Sequence, residues 1–173
     1  MAILTEKRSV RLCDTTTGKN VAVLGGAEQA ITSLAFSPDG SLLATGAIDN
    51  TARLWEAISG VERACLHGHQ GRVMTVAFSP DGAVLATGSE DATVQLWDSV
   101  THVKQMSLKS GTVPLSQLTY SPDGTRLLAR AKDNTTVVWD VMVGQNIARL
   151  DSAIGTFVFS ADGTRFVAHY KDL

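Results

Sequence analysis

The hydrophobic positions between residues 72 and 108 fall into short runs that suit β-strands. In Val73–Phe78, successive side chains point to opposite faces and both sets are apolar or small, which is typical of a strand packed on both sides. Apolar runs follow at 84–88 and 93–97, and a more polar run spans 103–108. The pattern predicts one sheet of four antiparallel strands, with the last strand outermost and least apolar.

The tetrapeptide Ser79-Pro80-Asp81-Gly82 separates the first two runs and has the composition of a tight turn. Proline pre-sets φ to about −65°, aspartate can accept a hydrogen bond from its own backbone, and glycine adopts a positive φ. The same phrase recurs along the chain, as Ser37-Pro38-Asp39-Gly40, Ser121-Pro122-Asp123-Gly124 and Ser160-Ala161-Asp162-Gly163. The aromatic residues before these turns are 42, 42 and 39 positions apart, and the three tryptophans keep the 42-residue spacing. Such a period indicates stacked structural repeats.

The period divides the chain into three complete units, 26–67, 68–109 and 110–150, and two incomplete ones. Residues 1–25 supply a third and a fourth strand, and residues 151–173 supply a first and a second. Because a small sheet with two apolar faces is not stable alone, the units must stack on one another. We therefore predict an all-β fold, a β-propeller with three complete four-stranded antiparallel blades and two half-blades.

The two ends of the chain leave the size of the ring open. Ala2 aligns with Ala44 in the middle of a second strand, and the C-terminal end stops at a second strand and the aspartate of its turn, Asp172. The chain is then a fragment of a longer propeller, a four-bladed ring closed by its own ends, or half of an eight-bladed ring made by two copies head to tail.

Composition and charge narrow the classes of partner. The chain has 173 residues, of which 44% are hydrophobic and 18% charged, as in ordinary globular proteins. A formal net charge of −2 gives no basic footprint for nucleic acid. No apolar run approaches the roughly 20 residues that cross a bilayer, and the N-terminus does not read as a signal peptide. We expect a cytoplasmic protein without nucleic-acid or membrane partners, and two cysteines 52 residues apart predict neither a disulfide framework nor a metal pair.

Gly68-His69, Asp91 and Trp97-Asp98, in register with the Ser-Pro-Asp-Gly turns, resemble the WD-repeat (Trp-Asp) β-propeller family over essentially the whole chain. The resemblance implies a hydrogen-bonded chain through His69, Thr87, Asp91 and Trp97. Buried aspartate and histidine side chains need partners, and a buried indole N–H needs an acceptor. The corresponding positions in the other units are Asp49, Trp55, Asp133 and Trp139. We interpret this set as a structural network and not as a hydrolase triad, because its hydroxyl would be buried.

The other units depart from this pattern. Unit one has Ala27 where histidine is expected and Glu56 after its tryptophan, while unit three has Gly111 in place of the histidine and Arg130 in place of the second-strand hydroxyl. Unit two alone carries the full network and is predicted to be the most rigid. In the first half-blade Cys13 occupies the tryptophan position, which predicts a poorly filled, weak unit.

The leading functional hypothesis is a noncatalytic scaffold for protein–protein interaction. The links between second and third strands, at 47–50, 89–92 and 131–134, share one rim with the links before each first strand, and we call this surface the loop rim. Loops on a rigid framework usually carry binding function. The candidate contact residues for a protein or peptide partner are Ile48, Gln70, Arg72, Glu90 and Lys132.

The alternative hypothesis is the propeller part of a larger enzyme, a regulatory or substrate-gating domain linked to a peptidase or kinase. The Ser-Pro-Asp-Gly turns also resemble those of propellers attached to serine peptidases. The chain has no Gly-x-Ser-x-Gly elbow, and its loops leave little room for catalytic groups. His67-Gly68-His69 has no further histidine or cysteine at ligand spacing, so we predict no catalytic residue, no metal site and no cofactor.

Overall fold

The computed structural model describes residues 2–4, 10–24, 30–151 and 154–170, with the backbone alone at 2–4, 154–157 and 168–170. Every regular element in these ranges is a β-strand, and none of them contains a helix that could cross a membrane. The strands in chain order are β1 Ala2–Leu4, β2 Val10–Cys13, β3 Asn20–Val23, β4 Ile31–Phe36, β5 Leu42–Ala47, β6 Ala52–Glu56, β7 Glu62–Leu66, β8 Val73–Phe78, β9 Val84–Ser89, β10 Thr93–Asp98, β11 Lys104–Lys109, β12 Leu115–Tyr120, β13 Arg126–Ala131, β14 Thr136–Asp140, β15 Gln145–Leu150, β16 Ile154–Phe159 and β17 Phe166–Tyr170.

Three four-stranded antiparallel sheets form the body of the structure, and they confirm the predicted blade architecture. Blade one is β4 to β7, blade two is β8 to β11 and blade three is β12 to β15, each with its strands in chain order. Each sheet lies inside one of the predicted units. In blade two the strand bounds agree with the sequence pattern to within one residue, because two apolar faces and a marked turn fix both ends of each strand.

The terminal sheets are smaller. The N-terminal segment contains β2 and β3, the expected third and fourth strands, and also β1, which pairs with β2 through Ala2 and Leu12. This short strand supplies hydrogen-bond partners to the otherwise open edge of β2. The C-terminal sheet is β16 paired with β17. Within the described ranges the two terminal sheets share no strand pairing, so the alternatives for ring closure stay predictions.

The core lies between neighbouring sheets. The buried apolar side chains form clusters that each join two adjacent sheets, such as the cluster that contains Leu54 of blade one together with Val76 and Phe78 of blade two. The first strands β4, β8 and β12 contact one another in turn, while the fourth strands lie at the opposite edges of their sheets. The blades therefore fan around the side that carries the first strands.

Close contact between the first strands depends on small and hydroxyl side chains. The backbone N–H of Val76 donates to Ser33 Oγ at 3.2 Å, and the N–H of Leu118 donates to Thr75 Oγ1 at 3.1 Å. Gly46 permits this approach, because a Cβ atom there would lie 3.0 Å from the carbonyl oxygen of Val73. The same hydrogen bond, from a backbone amide to a hydroxyl oxygen, thus joins blade one to blade two and blade two to blade three.

The Ser-Pro-Asp-Gly turns form as their chemistry predicts. In the turn of blade two, Gly82 has a φ of 75°, Asp81 Oδ1 accepts the N–H of Ala83 at 3.0 Å, and Ser79 Oγ accepts the N–H of Val84 at 2.9 Å. In blade one the Ser37 hydroxyl, with help from Ser41, lowers the pKa of Asp39 to about 2. The carboxylates of Asp39 and Asp81 therefore accept hydrogen bonds from residues of their own turns.

Candidate functional site

A continuous chain of hydrogen bonds runs through blade two. The segment before β8 positions His69, β9 carries Thr87, the β9–β10 turn carries Asp91, and β10 carries Trp97. His69 Nδ1 lies 3.0 Å from Asp91 Oδ2, His69 Nε2 lies 2.8 Å from Thr87 Oγ1, and Trp97 Nε1 donates to the same hydroxyl at 3.0 Å. The structure thus brings together all four residues that the sequence placed in the network.

The hydrogen-bond pattern fixes the tautomer of His69. The carboxylate of Asp91 can only accept, so Nδ1 carries the proton and donates to it. Nε2 then accepts from the Thr87 hydroxyl, whose oxygen accepts the Trp97 N–H. Asp91 also accepts the N–H of Gln70 at 2.8 Å and the hydroxyl of Thr93 at 2.6 Å. Each polar side-chain group of His69, Thr87, Asp91 and Trp97 therefore has a hydrogen-bond partner, and this arrangement suits a neutral imidazole.

Burial and hydrogen bonding set the charges in this network. Burial is the largest influence on His69 and lowers its pKa, although Asp91 opposes that shift. For Asp91, burial alone would raise the pKa, but the hydrogen bonds from Thr93, Gln70 and His69 together outweigh it and lower the pKa to about 2. At neutral pH the pair is therefore a neutral histidine beside a charged carboxylate.

We expect acid to weaken the fold through this pair. The folded pKa of His69 lies below its ordinary value of 6.5, so its contribution is complete above pH 6.5 and is lost as the pH falls below that value. Asp91, with an ordinary pKa of 3.8 and a folded pKa of about 2, adds a second loss between these values. Urea unfolding at pH 8, 6 and 5 measures the first loss. His69→Gln should flatten this pH dependence.

In blade one the tryptophan and the turn aspartate are also hydrogen-bonded, but the aspartate pairs with Arg53 where Asp91 of blade two pairs with a histidine. Trp55 Nε1 donates to Thr45 Oγ1 at 3.0 Å, as in blade two. Asp49 accepts the Thr51 hydroxyl at 2.6 Å and Arg53 Nη2 at 3.0 Å. Burial would raise the pKa of Asp49, but these bonds and the charge of Arg53 lower it. Ala27, which the sequence places at the histidine position, lies outside the described residues.

Blade three lacks most of the network, and here one sequence-based assignment was wrong. β13 pairs with β14 so that Ala129 is opposite Val137, just as Thr87 is opposite Gln95. Ala129, not Arg130, therefore replaces the second-strand hydroxyl, and Arg130 corresponds to Gly88. Consequently the indole N–H of Trp139 has no hydrogen-bond partner within the described residues, and Asp133 accepts only the N–H of Thr135, at 2.9 Å.

The loop rim has one backbone geometry in all three blades. Ile48, Glu90 and Lys132 occupy the same position 42 residues apart. Each donates its backbone N–H to a carbonyl in the link before the first strand of its own blade. The three bonds are Ile48 to Ala30 at 3.1 Å, Glu90 to Arg72 at 2.9 Å and Lys132 to Pro114 at 2.8 Å. A constant framework thus presents an apolar, an acidic and a basic side chain in turn.

Three of the five predicted contact residues form a charged cluster across two blades. Lys132 Nζ lies 2.8 Å from Glu90 Oε1, and Arg72 Nε lies 3.8 Å from Glu90 Oε2. The hydrogen bond from Lys132 is the main cause that lowers the pKa of Glu90. Gln70 has an exposed side chain and donates its backbone N–H to Asp91, while Ile48 is half-buried in blade one. The 42-residue spacing of Glu90 and Lys132 was the signal in the sequence for this contact.

The described residues include no group of three or more histidine, cysteine, aspartate or glutamate side chains that could hold a metal ion. His67 is exposed and His69 is buried in the network. The two ends of the His-Gly-His motif therefore lie in different surroundings.

The family model for the WD domain, G-beta repeat matches this chain at residues 18–56, 60–98 and 103–140. No curated protein matches the chain. Each matched segment begins at the outer strand of one sheet and continues through the three inner strands of the next. The segments contain β3 to β6, β7 to β10 and β11 to β14 respectively.

Proposed function

We propose, from the premise that this chain belongs to the WD40 repeat family, that it is a noncatalytic scaffold whose loop rim binds a protein or peptide partner. WD40 repeats are generally protein-interaction scaffolds. The observation that carries the proposal is the loop rim, where one backbone geometry displays Ile48, Glu90 and Lys132 at equivalent places. Different chemistry on a fixed framework is what selective binding of a partner requires.

The charges of the loop rim suggest how a partner is recognised. Arg72 and Lys132 are exposed and bracket the less exposed Glu90, so the cluster offers two positive groups around one negative group. A partner with an acidic side chain beside a basic one would pair with this arrangement. Electrostatic complementarity of this kind mainly governs the rate and selectivity of association.

The enzyme alternative has less support. Thr87 is the only hydroxyl that touches His69 Nε2 within the described residues, and it is 0% exposed and bonded to the indole of Trp97. A hydroxyl held in this way is not available to a substrate. The geometry favours a role in blade stability.

We expect Lys132→Glu to weaken binding of the partner while the blade stays folded. The variant places two carboxylates side by side on the loop rim, and like charges repel in both the free protein and the complex. Crosslinking of the full chain in a lysate, followed by mass spectrometry and a titration of the captured partner, measures the effect. We expect at least a roughly tenfold loss of affinity for a desolvated charge contact.

Arg63→Glu is the matched control. Arg63 forms an exposed pair with Glu56 at 2.5 Å on the outer strand of blade one, away from the loop rim. It changes the charge by the same amount as Lys132→Glu and also removes one surface ion pair. Equal losses of binding in the two variants would contradict a role for the loop rim.

We further propose that a second copy of the chain covers the C-terminal sheet. Val158 of β16 and Val167 of β17 are 65% and 73% exposed, which is unusual for the paired strands of a stacked blade. The strands β2 and β3 of a second copy would complete this sheet, with β17 replacing the short strand β1 at the edge of β2. Light scattering is expected to give a discrete dimer, and either a monomer or a ladder of aggregates would contradict the pairing.

A further inference from the structure

We propose that blade three contains a binding cavity for an imidazole ring, in the place where blade two holds the ring of its own histidine. The cavity has a volume of about 280 Å³. Its walls are formed by residues that lie 42 positions after members of the blade-two network. The corresponding pairs are His69 and Gly111, Thr87 and Ala129, and Asp91 and Asp133.

The cavity exists because the repeat keeps its backbone while its side chains become smaller. The register of β13 with β14 matches that of β9 with β10. Replacement of an imidazole by hydrogen at Gly111, and of a hydroxyl and a methyl at Ala129, removes the atoms that fill this space in blade two. Protein interiors are otherwise close-packed, so the void marks the position of the missing network.

Polar groups near the cavity lack the hydrogen-bond partners that the equivalent groups have in blade two. Asp133 accepts only the N–H of Thr135, whereas Asp91 accepts four hydrogen bonds. Within the described part of the chain, the Thr135 hydroxyl on the cavity wall makes no hydrogen bond. The indole N–H of Trp139, which lies beyond the lining residue Val137 on the same strand, makes none either. These groups match an incoming ring that donates at one end and accepts at the other.

Blade two shows how such a ring would bind. There the imidazole donates to a carboxylate at 3.0 Å and accepts from a hydroxyl at 2.8 Å, which in turn accepts an indole N–H at 3.0 Å. In blade three a bound imidazole donates to Asp133, and a water molecule takes the place of the absent hydroxyl and accepts from Trp139. A cavity of this size has room for both the ring and the water, and Asp133 and Thr135 supply polar groups in its mainly apolar wall.

The imidazole can come from a small molecule or from a histidine side chain of a protein. Asp133 and Thr112 are exposed, so the cavity opens at the loop rim. Arg149 lies at the mouth, where its Nη1 atom is 3.7 Å from the position of a Cβ at Gly111. Its Nε atom donates to Asp151 at 2.9 Å. The histidine source rests on the proposed function, whereas the binding of the ring does not.

The test uses the indole signals of the full chain. Three tryptophans give three indole ¹⁵N–¹H signals, and titration with free imidazole at pH 8 should move the Trp139 signal selectively and saturably. 1-Methylimidazole is the matched probe, because it keeps the acceptor nitrogen but cannot donate to Asp133, and it should bind at least about tenfold more weakly.

Variants at the cavity separate the proposed contacts from a structural effect. Asp133→Asn should weaken imidazole at least about tenfold, because it removes a charged acceptor. Ala129→Thr restores the hydroxyl of blade two and should bind imidazole several-fold more tightly. Ala129→Val has the same shape without the hydroxyl and should not. His69→Gly opens the equivalent space in blade two, so imidazole should move its Trp97 signal as a positive control.

The outcomes are distinct. A response of Trp97 in His69→Gly without a response of Trp139 in the wild-type chain overturns the proposal, as does equal binding of 1-methylimidazole. If imidazole binds, N-acetylhistidine amide distinguishes the sources, since it should bind as well as free imidazole only if the mouth admits a peptide histidine. Loss of partner binding in Lys132→Glu with unchanged imidazole binding keeps the two proposals separate.

Discussion

Trp97→Ala is expected to lower the free energy of unfolding by about 3–5 kcal/mol. Trp97 is 4% exposed and shares a buried cluster with Leu54, Val76 and Phe78 between blades one and two. The variant leaves a cavity in that interface and removes the N–H that Thr87 accepts. The loss is a large share of a typical stability of about 5–15 kcal/mol. Urea unfolding followed by circular dichroism measures it.

Val100→Ala is the control in the same blade. Val100 is 80% exposed in the turn between β10 and β11, so its truncation should change stability by no more than about 0.5 kcal/mol. Trp97→Phe keeps most of the ring volume but loses the N–H, and should fall between the two. Equal effects of Trp97→Ala and Val100→Ala would contradict the packing of blade two against blade one.

Asp91→Ala is expected to cost about 2–3 kcal/mol, whereas Asp133→Ala should cost less than about 1 kcal/mol. Asp91 accepts hydrogen bonds from His69, the Gln70 N–H, and both the N–H and the hydroxyl of Thr93. Its removal leaves the buried imidazole N–H of His69 with only the longer contact to Thr93 Oγ1, at 3.2 Å. Asp133 accepts one backbone N–H within the described residues, so its removal leaves only that one donor without its acceptor.

The two aspartates form a matched pair because they occupy the same turn position 42 residues apart. Chemical denaturation of both variants at pH 7.5, where His69 is neutral, compares them directly. Asp91→Asn separates charge from shape. If Asp133→Ala cost as much as Asp91→Ala, the stabilising role would belong to the turn itself and not to the hydrogen-bonded chain of blade two.

The blades were predictable because their signals are local and repeated. In β8 both faces are apolar, and Ser79 to Gly82 mark a turn whose geometry depends only on neighbouring residues. The network of His69, Thr87, Asp91 and Trp97 was predicted from the family resemblance. Without that resemblance, the sequence shows only the spacing of these four residues. Repetition made each assignment testable against the next unit.

Arg130 was assigned to the hydroxyl position one residue out of step with the 42-residue period, and the pairing of β13 places Ala129 there. A shift of one residue in a strand changes the face. Two further features depended on contacts that the sequence does not give. The pairing of Asp49 with Arg53 depends on how the β5–β6 turn folds back. The cavity in blade three could not be seen as a motif, since it consists of atoms that are missing.

The phase of the matched segments relative to the sheets has a practical consequence for building chimeras. A block cut from 60 to 98 takes β7 from blade one and leaves β11 behind in blade two. A transplanted block of this kind would therefore carry the outer strand of the preceding blade. That strand would pair with the sheet of its new neighbour. Designers who want whole sheets should join chains near residues 68 and 110, whereas those who want interlocking modules should cut within the turns that precede the outer strands.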